Sequence, residues 1–429
     1  MSTARQTFVV LSADALVSED MAELSAMPNF RKYLEGGARV EKVVSIYPTI
    51  TYPCHTTMAT GCWPDRHGIP GNLKSPYLSV KSPVPWIWEH DAVKVPDLFD
   101  LAKKAGYTTA AVFWPCTGNH PSIDHLIDEY WTQRPGQTLV EAFREMGTGE
   151  DLVPIIERHA HLMRERKHPY CDDFMVACAA DILCEFSPDL LMIHPANIDG
   201  ARHGAGVFGP HITKTLEDTD RWIGELMEAA PENTNFILTS DHGQMDIKRV
   251  IHINVLLADA GLIRPSSAGG EPEWDAWCQS GGMSACVYLK DQDDRAVYDK
   301  TYALLRHLCE EGVYGISRVY TKEEAVREEH YGGDFSFVLE TDNYTSFGDH
   351  YVRPLVTGAD NGDYRKGRAT HGYLPSKGPC PVFYAKGPAF RSGASIAEGR
   401  LVDEAPTIAR AMGFEMPDAD GVPMTQLLK

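Results

Sequence analysis

The feature that most limits how this chain can fold is a series of short apolar runs that alternate with helical stretches. The apolar residues stand at consecutive positions, which is typical of strands buried on both faces of a parallel sheet. Five runs are interpreted as strands: FVVLS (8–12), TTAAVF (108–113), DLLMIH (189–194), NFILTS (235–240) and PVFYAKG (381–387). Helical spacing is found over 18–34, 98–104, 172–186, 213–229 and 402–412. The pattern predicts an α/β fold with a doubly wound, mostly parallel sheet covered by helices on both faces.

The region between the last two of these runs has a different pattern. Residues 265–273 are rich in Gly, Pro and Ser, as in a linker. Short strand-like runs (ACVYLK, SRVYT and SFVLET) then surround a helical stretch at 294–311. We therefore predict that residues 256–368 form a smaller α+β subdomain, inserted into a core made of 1–255 and 369–429.

The charge balance limits the partners of the chain. Asp and Glu total 60 against 40 Lys and Arg, which gives a formal charge of −20. An acidic protein repels nucleic acids and anionic membranes, so we expect neither a nucleic-acid polymer nor a membrane as partner. A phosphate ester as substrate would require bound divalent cations to reverse the repulsion locally. A homo-oligomer stays open.

Cysteine usage and the N-terminal sequence bear on localisation. None of the ten cysteines forms a CxxC pair, and an even number of cysteines says little in a chain of this length. The N-terminus leads directly into the first apolar run, without the charged and apolar segments of a secretion signal. We therefore expect a cytoplasmic protein with reduced thiols.

Acidic residues follow three of the predicted strands. Asp14 comes after the first run, Asp199 after LLMIHPANI, and Asp241 with His242 after FILTS. Ligands of doubly wound sheets bind beyond the carboxyl ends of the strands, where these residues would lie together. A metal site at this edge of the sheet is the functional interpretation, and a polar turn is the alternative for each residue taken alone.

Thr51 lies at the predicted start of a helix. Pro53 suits the first turn of that helix and Gly61 suits its end. The free backbone N–H groups at such an N-terminus favour an anion. A hydroxyl there becomes a nucleophile when a metal lowers its pKa, although a plain N-cap explains the same residue.

Two further segments offer metal ligands. Asp199 and His203 are four residues apart and can share one helical face, and His371 stands beside a glycine. Each is ambiguous alone, because the chain has 17 histidines. Together, the candidate residues supply enough ligands for two metal ions that share one reactive oxygen. Oxygen and nitrogen ligands suit Zn²⁺ best, with Mn²⁺ or Fe as alternatives.

The order of these segments resembles the alkaline phosphatase superfamily, and most closely its nucleotide pyrophosphatase/phosphodiesterase (type I phosphodiesterase) branch. The family's Thr-x-Thr-Phe-Pro-Asn-His-like segment is here TITYPCH (49–55), and its Thr-Gly-x-x-Pro-x-x-His-Gly-Ile-x-x-Asn segment is here 60–72. Later Asp-x-x-x-His, Ser-Asp-His-Gly-x-Met and Thr-His-Gly-Tyr blocks also match. Cys54 and Arg202 depart from the pattern.

The resemblance implies a catalytic core with two divalent metal ions, most readily Zn²⁺. One metal would be held by Asp199, His203 and His371. The other would be held by Asp14, Asp241 and His242 together with the Thr51 oxygen. The implied reaction passes through a phosphothreonine at Thr51, while Asn72 and the Thr51 N–H hold a non-bridging oxygen.

Asn72 also indicates the substrate. A neutral amide suits a phosphodiester or pyrophosphate, whereas a phosphomonoesterase would place Arg or Lys there to meet a second negative charge. The expected substrate is therefore a small phosphorylated molecule with a diester or pyrophosphate bond. A phosphonoacetate hydrolase, which cleaves a C–P bond, is the nearest alternative, because Lys74 and Lys81 offer charges for a carboxylate. A phosphomonoesterase or an inactive metal-binding relative stays open.

Overall fold

A single large sheet organises the chain. The structure, a computed structural model, describes residues 5–80, 83–163, 167–266, 270–359 and 367–429. Within these residues the sheet has eight strands, in the spatial order Ser395–Ile396, Ala38–Val40, Phe383–Lys386, Asn235–Thr239, Phe8–Ser12, Leu190–Ile193, Thr109–Val112 and His125–Ile127. Neighbouring strands are parallel, except that Phe383–Lys386 is antiparallel to the strands on both sides. The prediction of a mostly parallel sheet is confirmed.

The two faces of the sheet bury alternate residues of the same strands. Val9 and Leu11 belong to one core cluster, whereas Phe8 and Val10 belong to the other. Because side chains alternate across a strand, an uninterrupted apolar run supplies both clusters. Helices cover both faces: Tyr170–Phe186 and Pro210–Ala229 on the first, and Thr51–Thr60, Leu98–Lys104 and Glu404–Met412 on the second. The predicted doubly wound arrangement is confirmed.

The helix predicted over 18–34 is interrupted. A 3₁₀ turn at Ser18–Asp20 leads into two short helices, Met21–Leu24 and Pro28–Tyr33. Pro28 lacks an N–H and fits only the first turn of a helix, so a new helix begins there. Further helices absent from the sequence prediction include Pro64–His67, Leu139–Glu145, Val153–His159 and Ile253–Asp259. The helical face expected for Asp199 and His203 lies on the helix Asn197–Ala205.

A second, antiparallel sheet lies in the region predicted as an insertion. Its strands, in spatial order, are Ala276–Ser280, Ser284–Leu289, Phe337–Thr341 and Ile316–Thr321, and the helices Arg295–Glu311 and Lys322–Glu329 accompany it. It has its own apolar cluster, which also includes Tyr47. At the predicted linker, 265–273, the strands Ile263–Arg264 and Glu273–Trp274 pair with each other in a short antiparallel ladder. Residues 267–269 lie outside the described residues. The division at 255/256 and 368/369 stays a prediction.

Residues of the predicted insertion also pair with a strand outside it, in a separate three-stranded sheet. The strand Arg249–Ile251 pairs with Thr345–Phe347 and Val356–Thr357. The turn at Gly281 and Gly282 approaches the chain at His371, where a Cβ on Gly282 would lie 2.5 Å from the carbonyl oxygen. In the described part of the chain, every helix falls short of the length and apolarity that crossing a membrane requires.

Candidate active site

Three neighbouring parallel strands end at one point, and polar residues follow each. Asp14 follows Phe8–Ser12, His194 follows Leu190–Ile193, and Asp241 follows Asn235–Thr239. Ala15 adopts a left-handed conformation (φ 60°), and its N–H donates to Asp241 Oδ1 at 3.2 Å. This bond ties the first loop to the third and brings both carboxylates together.

Asp14, Asp241 and His242 form the first group of converging ligand atoms. His242 Nε2 lies 3.1 Å from Asp241 Oδ2 and 3.7 Å from Asp14 Oδ1. Both of these oxygens are buried and accept no hydrogen bond. Buried oxygens without hydrogen bonds are costly unless another group meets them, and a cation between them would do so.

Thr51 stands next to this group as the first residue of the helix Thr51–Thr60. Its Oγ1 lies 3.3 Å from His242 Nε2. The N-cap is Ile50, in extended conformation, and no side chain caps this end of the helix. The Thr51 hydroxyl therefore faces the carboxylate and imidazole group rather than a backbone N–H, unlike in the plain N-cap interpretation.

Asp199, His203 and His371 form the second group. His203 Nε2 lies 3.3 Å and His371 Nε2 3.9 Å from Asp199 Oδ1. The Nδ1 atoms of the two histidines contact the carbonyl oxygens of Ala369 (2.7 Å) and Thr49 (3.0 Å). Such bonds place the proton on Nδ1 and leave the Nε2 lone pair for a metal.

The electrostatics of both groups fit divalent cations. Burial raises the pKa of Asp14 well above its usual range, and the Asp199 charge adds to this; burial and the Asp14 charge do the same for Asp241. Burial opposes ionisation of Asp199, but the facing His203 and His371 hold its pKa below the usual value. Burial lowers the pKa of His371 to about 4, so its imidazole is neutral. Carboxylates and neutral imidazoles are the oxygen and nitrogen ligands that Zn²⁺ binds, and a bound Zn²⁺ would favour the ionised form of these crowded carboxylates.

Two histidines that support the first group were missed from sequence. His194 Nε2 lies 3.0 Å from Asp14 Oδ2. His55 Nε2 lies 2.9 Å from Ser12 Oγ, and its Nδ1 lies 2.9 Å from the carbonyl oxygen of Thr51. His194 could have been found, because it ends a predicted strand at the edge of the sheet where Asp14 also lies.

Asp14 and Thr51, together with all three residues of the second group, line a cavity of about 1040 Å³. Asn72 lines it, and Asn72 Oδ1 accepts a hydrogen bond from the Tyr52 N–H at 2.9 Å. The amide NH₂ is therefore the part of Asn72 that a ligand can meet. Trp86 and Trp131 line one side, and the turn at 279–285 of the second sheet lines another.

The lysines considered for a carboxylate have different surroundings. Lys74 forms an ion pair with Glu89 at 2.8 Å and is not among the described residues that line the cavity. Lys81 lies outside the described residues. Lys74 is therefore matched by an acidic partner and is not available to a ligand in the cavity.

Arg202, a departure from the family pattern, is fully buried. Its Nε donates to the Ala15 carbonyl at 3.2 Å, and its Nη2 lies 2.5 Å from Asp20 Oδ2. Its Nη1 donates to the Val207 carbonyl. Arg202 thereby joins the helix of Asp199 and His203 to the loop that carries Asp14.

Another cluster of His and Asp residues, around Asp97 and His120, lies apart from the cavity. The Ser122 N–H donates to His120 Nδ1 at 3.0 Å, so the His120 proton is on Nε2, 2.9 Å from Asp97 Oδ2. A proton in that position occupies the lone pair that a metal would need. This cluster is a hydrogen-bonded pair.

Comparison with known proteins places these features in context. The family model described as type I phosphodiesterase/nucleotide pyrophosphatase matches residues 8–374. Human ectonucleotide pyrophosphatase/phosphodiesterase family member 1 is 25% identical over 250 residues, which is 56% of this chain and 24% of that protein. Human family member 5 is 23% identical over 412 residues, 90% of this chain and 70% of that protein. The chain therefore matches about a quarter of the length of family member 1, in its human, mouse and rat forms.

Solved structures share the fold. Murine ectonucleotide pyrophosphatase/phosphodiesterase 5 superposes with a TM-score of 0.67 at 20% identity, covering 99% of this chain and 100% of that one. The human protein gives a TM-score of 0.69 at 19% identity, with the same coverage. An inactive variant of the murine protein has been solved in complex with AMP.

Proposed function

Because the chain belongs to the type I phosphodiesterase/nucleotide pyrophosphatase family, we propose that it hydrolyses phosphodiester or pyrophosphate bonds of small phosphorylated substrates through a phosphothreonine at Thr51. The proposal rests on the clustering of metal-ligand side chains around the Thr51 hydroxyl. Carboxylates and imidazoles far apart in the sequence lie together beside one cavity, which Asp14, Thr51 and the second group line, and the Thr51 hydroxyl lies 3.3 Å from His242 Nε2.

Two divalent metal ions, most readily Zn²⁺, are part of the proposal. Asp14, Asp241, His242 and the Thr51 oxygen would hold one, and Asp199, His203 and His371 the other. Bound there, the ions would supply the positive charge that favours the Thr51 alkoxide and the charge on the leaving oxygen.

The chain's own residues account for the rest of the chemistry. The Thr51 oxygen attacks phosphorus as the bond to the leaving oxygen breaks, and the hydroxyl proton passes to solvent. A water oxygen then attacks the phosphothreonine, the bond to Thr51 breaks, and the hydroxyl is restored. The Asn72 NH₂ and the backbone N–H groups at the helix N-terminus hold a non-bridging oxygen in both steps.

The neutral amide of Asn72 supports a diester or pyrophosphate rather than a monoester. The AMP bound by the murine neighbour makes a nucleotide a reasonable trial substrate. The phosphonoacetate alternative loses the support of Lys74, which is paired with Glu89. A cytoplasmic location is also part of the proposal.

The experiment is hydrolysis of bis-p-nitrophenyl phosphate, p-nitrophenyl phosphate and phosphonoacetate, with Zn²⁺ or with EDTA. Thr51→Val keeps the shape of the side chain without its hydroxyl, and Thr51→Ser keeps a hydroxyl as the matched control. We expect diester cleavage that EDTA and Thr51→Val abolish and that Thr51→Ser partly retains. Higher kcat/KM for the monoester, or activity on phosphonoacetate alone, would overturn the proposed bond specificity. Full activity of Thr51→Val would overturn the nucleophile.

A further inference from the structure

A histidine and an aspartate outside the proposed metal ligands form a dyad in the wall of the cavity. His168 Nδ1 lies 2.6 Å from Asp172 Oδ2. The side chain of Asp172 is fully buried, and its other oxygen accepts the Ala196 N–H at 2.7 Å. The carboxylate is therefore fixed by the backbone just before the helix Asn197–Ala205, and it fixes the imidazole in turn.

The dyad presents one nitrogen of His168 to a ligand. Nδ1 is used by Asp172, with the Cys171 thiol beside it at 3.4 Å. Nε2 has no hydrogen-bond partner among the described residues, the side chain is 34% exposed, and His168 lines the cavity. Burial alone would lower the pKa of His168, but the Asp172 carboxylate holds it well above the usual value. The contact with the Asp172 carboxylate therefore favours the protonated form of the imidazole at the cavity wall.

The position of His168 relative to Thr51 indicates which part of a bound substrate His168 would contact. The ring packs on Gly200, where an added Cβ would lie 2.8 Å from His168 Cδ2. Gly200 follows Asp199 on the ligand helix, whereas Thr51 contacts His242 in the other group. In an in-line displacement the leaving group departs opposite the nucleophile. On the proposed function, the second group faces the leaving oxygen, and His168, which packs beside that group, lies on the leaving-group side.

The charges around the dyad are mainly negative. Asp14, Glu129 and Asp199 line the same cavity, and His168 lowers the pKa of both Asp14 and Glu129 against the effect of their burial. Lys167 also lines the cavity, next to His168. On the proposed function, metal ions would neutralise Asp14 and Asp199, and burial raises the pKa of Glu129 to about 7. The protonated imidazole of His168 would then attract an anion more strongly than a neutral group.

On the premise of the proposed function, we propose that His168, held by Asp172, binds an anionic group on the leaving side of the substrate. That group is a second phosphate, as in a pyrophosphate bond, or a carboxylate. His168 is on this account a specificity residue, and it distinguishes charged from uncharged leaving groups attached to the same phosphoryl group.

The test compares three substrates that share an AMP moiety: ADP, the p-nitrophenyl ester of AMP and the ethyl ester of AMP. His168→Gln removes the charge of the imidazole. Asp172→Asn keeps an oxygen that accepts the Ala196 N–H, but it removes the negative charge that favours protonation of His168. His159→Gln is the matched control, because His159 pairs with Asp181 at 2.7 Å and is not among the described cavity residues. A charge-assisted hydrogen bond is worth about 10–100-fold in affinity. We expect both dyad variants to lower kcat/KM for ADP relative to either ester by that factor, with no change of the ratios in the control.

Other outcomes would overturn the inference. Equal losses on all three substrates would mean that the dyad is only structural. Equal losses on ADP and the ethyl ester, with the nitrophenyl ester spared, would mean that His168 protonates a poor leaving group. Phosphonoacetate as a fourth substrate distinguishes the two anions: a loss on phosphonoacetate but not on ADP would overturn the second phosphate as ligand and assign the anion site to a carboxylate.

A binding measurement separates this inference from the proposed function. Calorimetry compares the dissociation constants of α,β-methylene-ADP and AMP for the Zn²⁺-loaded protein and for His168→Gln. The preference for the second phosphonate should fall about 10–100-fold in the variant even if the protein hydrolyses none of the substrates. An unchanged preference would overturn the anion site whatever the enzymatic activity.

Discussion

Replacing Arg202 by Met tests how the first loop and the ligand helix are held together. The guanidinium is fully buried and contacts Asp20 and the carbonyl oxygens of Ala15 and Val207. In Arg202→Met, the buried Asp20 keeps only the Val17 N–H at 2.9 Å as a partner. Breaking a buried ion pair by removing one member costs about 3–5 kcal/mol.

The loss is measurable by urea and thermal denaturation of the metal-free protein. At about 2.1 cal/mol/K per residue, the 429 residues give roughly 0.9 kcal/mol/K, so the midpoint should fall by about 3–6 °C if the chain unfolds cooperatively. Arg202→Met with Asp20→Asn should recover about half of the loss, because the unpaired charge is removed while an acceptor for Val17 remains. The control Arg158→Met breaks a pair whose arginine is 49% exposed, and it should cost less than about 1 kcal/mol.

The same change should weaken zinc binding, because Arg202 holds the Ala15 carbonyl next to the proposed ligand Asp14. Residues that orient metal ligands typically contribute about 10–100-fold to metal affinity. Stability of Arg202→Met within about 0.5 kcal/mol of wild type, or no recovery in the double variant, would refute the reasoning.

Three further predictions concern other parts of the site and its support. Asn72→Ala should lower kcat for diesters about 100–1000-fold in steady-state kinetics, because it removes a donor to the non-bridging oxygen; an effect on KM alone would contradict this role. Gly282→Ala should weaken zinc binding in a competitive chelator titration, because Gly282 has φ +82° and its Cβ would lie 2.5 Å from the His371 carbonyl; wild-type affinity would contradict it. Burial lowers the pKa of His67 to about 3, below the usual 6.5. The unfolded chain therefore binds more protons between these values, so the stability from neutral His67 is complete above about pH 6.5 and is lost as pH falls towards 3. His67→Gln should flatten this part of the stability–pH curve measured by urea denaturation, and an unchanged curve would contradict the assignment.

The sequence predicted the large sheet well for a physical reason. Its central strands are buried on both faces, so their runs are apolar throughout and stand out from the rest of the chain. The end strand His125–Ile127 has three residues and was not recognised. At 18–34 the apolar spacing indicates one continuous helix, whereas Pro28 starts a new helix because its ring and missing N–H fit only a first turn.

The candidate ligands were accessible from sequence because they follow predicted strands or share a helical face. The dyad of His168 and Asp172 was not accessible, because its meaning depends on packing against Gly200 far along the chain. Contact of the Gly281 and Gly282 turn with residue 371 is likewise a tertiary contact, and no local pattern encodes it. Local propensity identifies elements, whereas the cavity arises from contacts between them.

The most direct test of the central claim is the stereochemical course at phosphorus. A diester with a chiral, isotopically labelled phosphorus centre is hydrolysed in labelled water, and the configuration of the product is measured by ³¹P NMR. Attack by Thr51 followed by attack by water inverts the centre twice, so the account predicts overall retention. Inversion would mean that water attacks the substrate directly and would contradict the phosphothreonine.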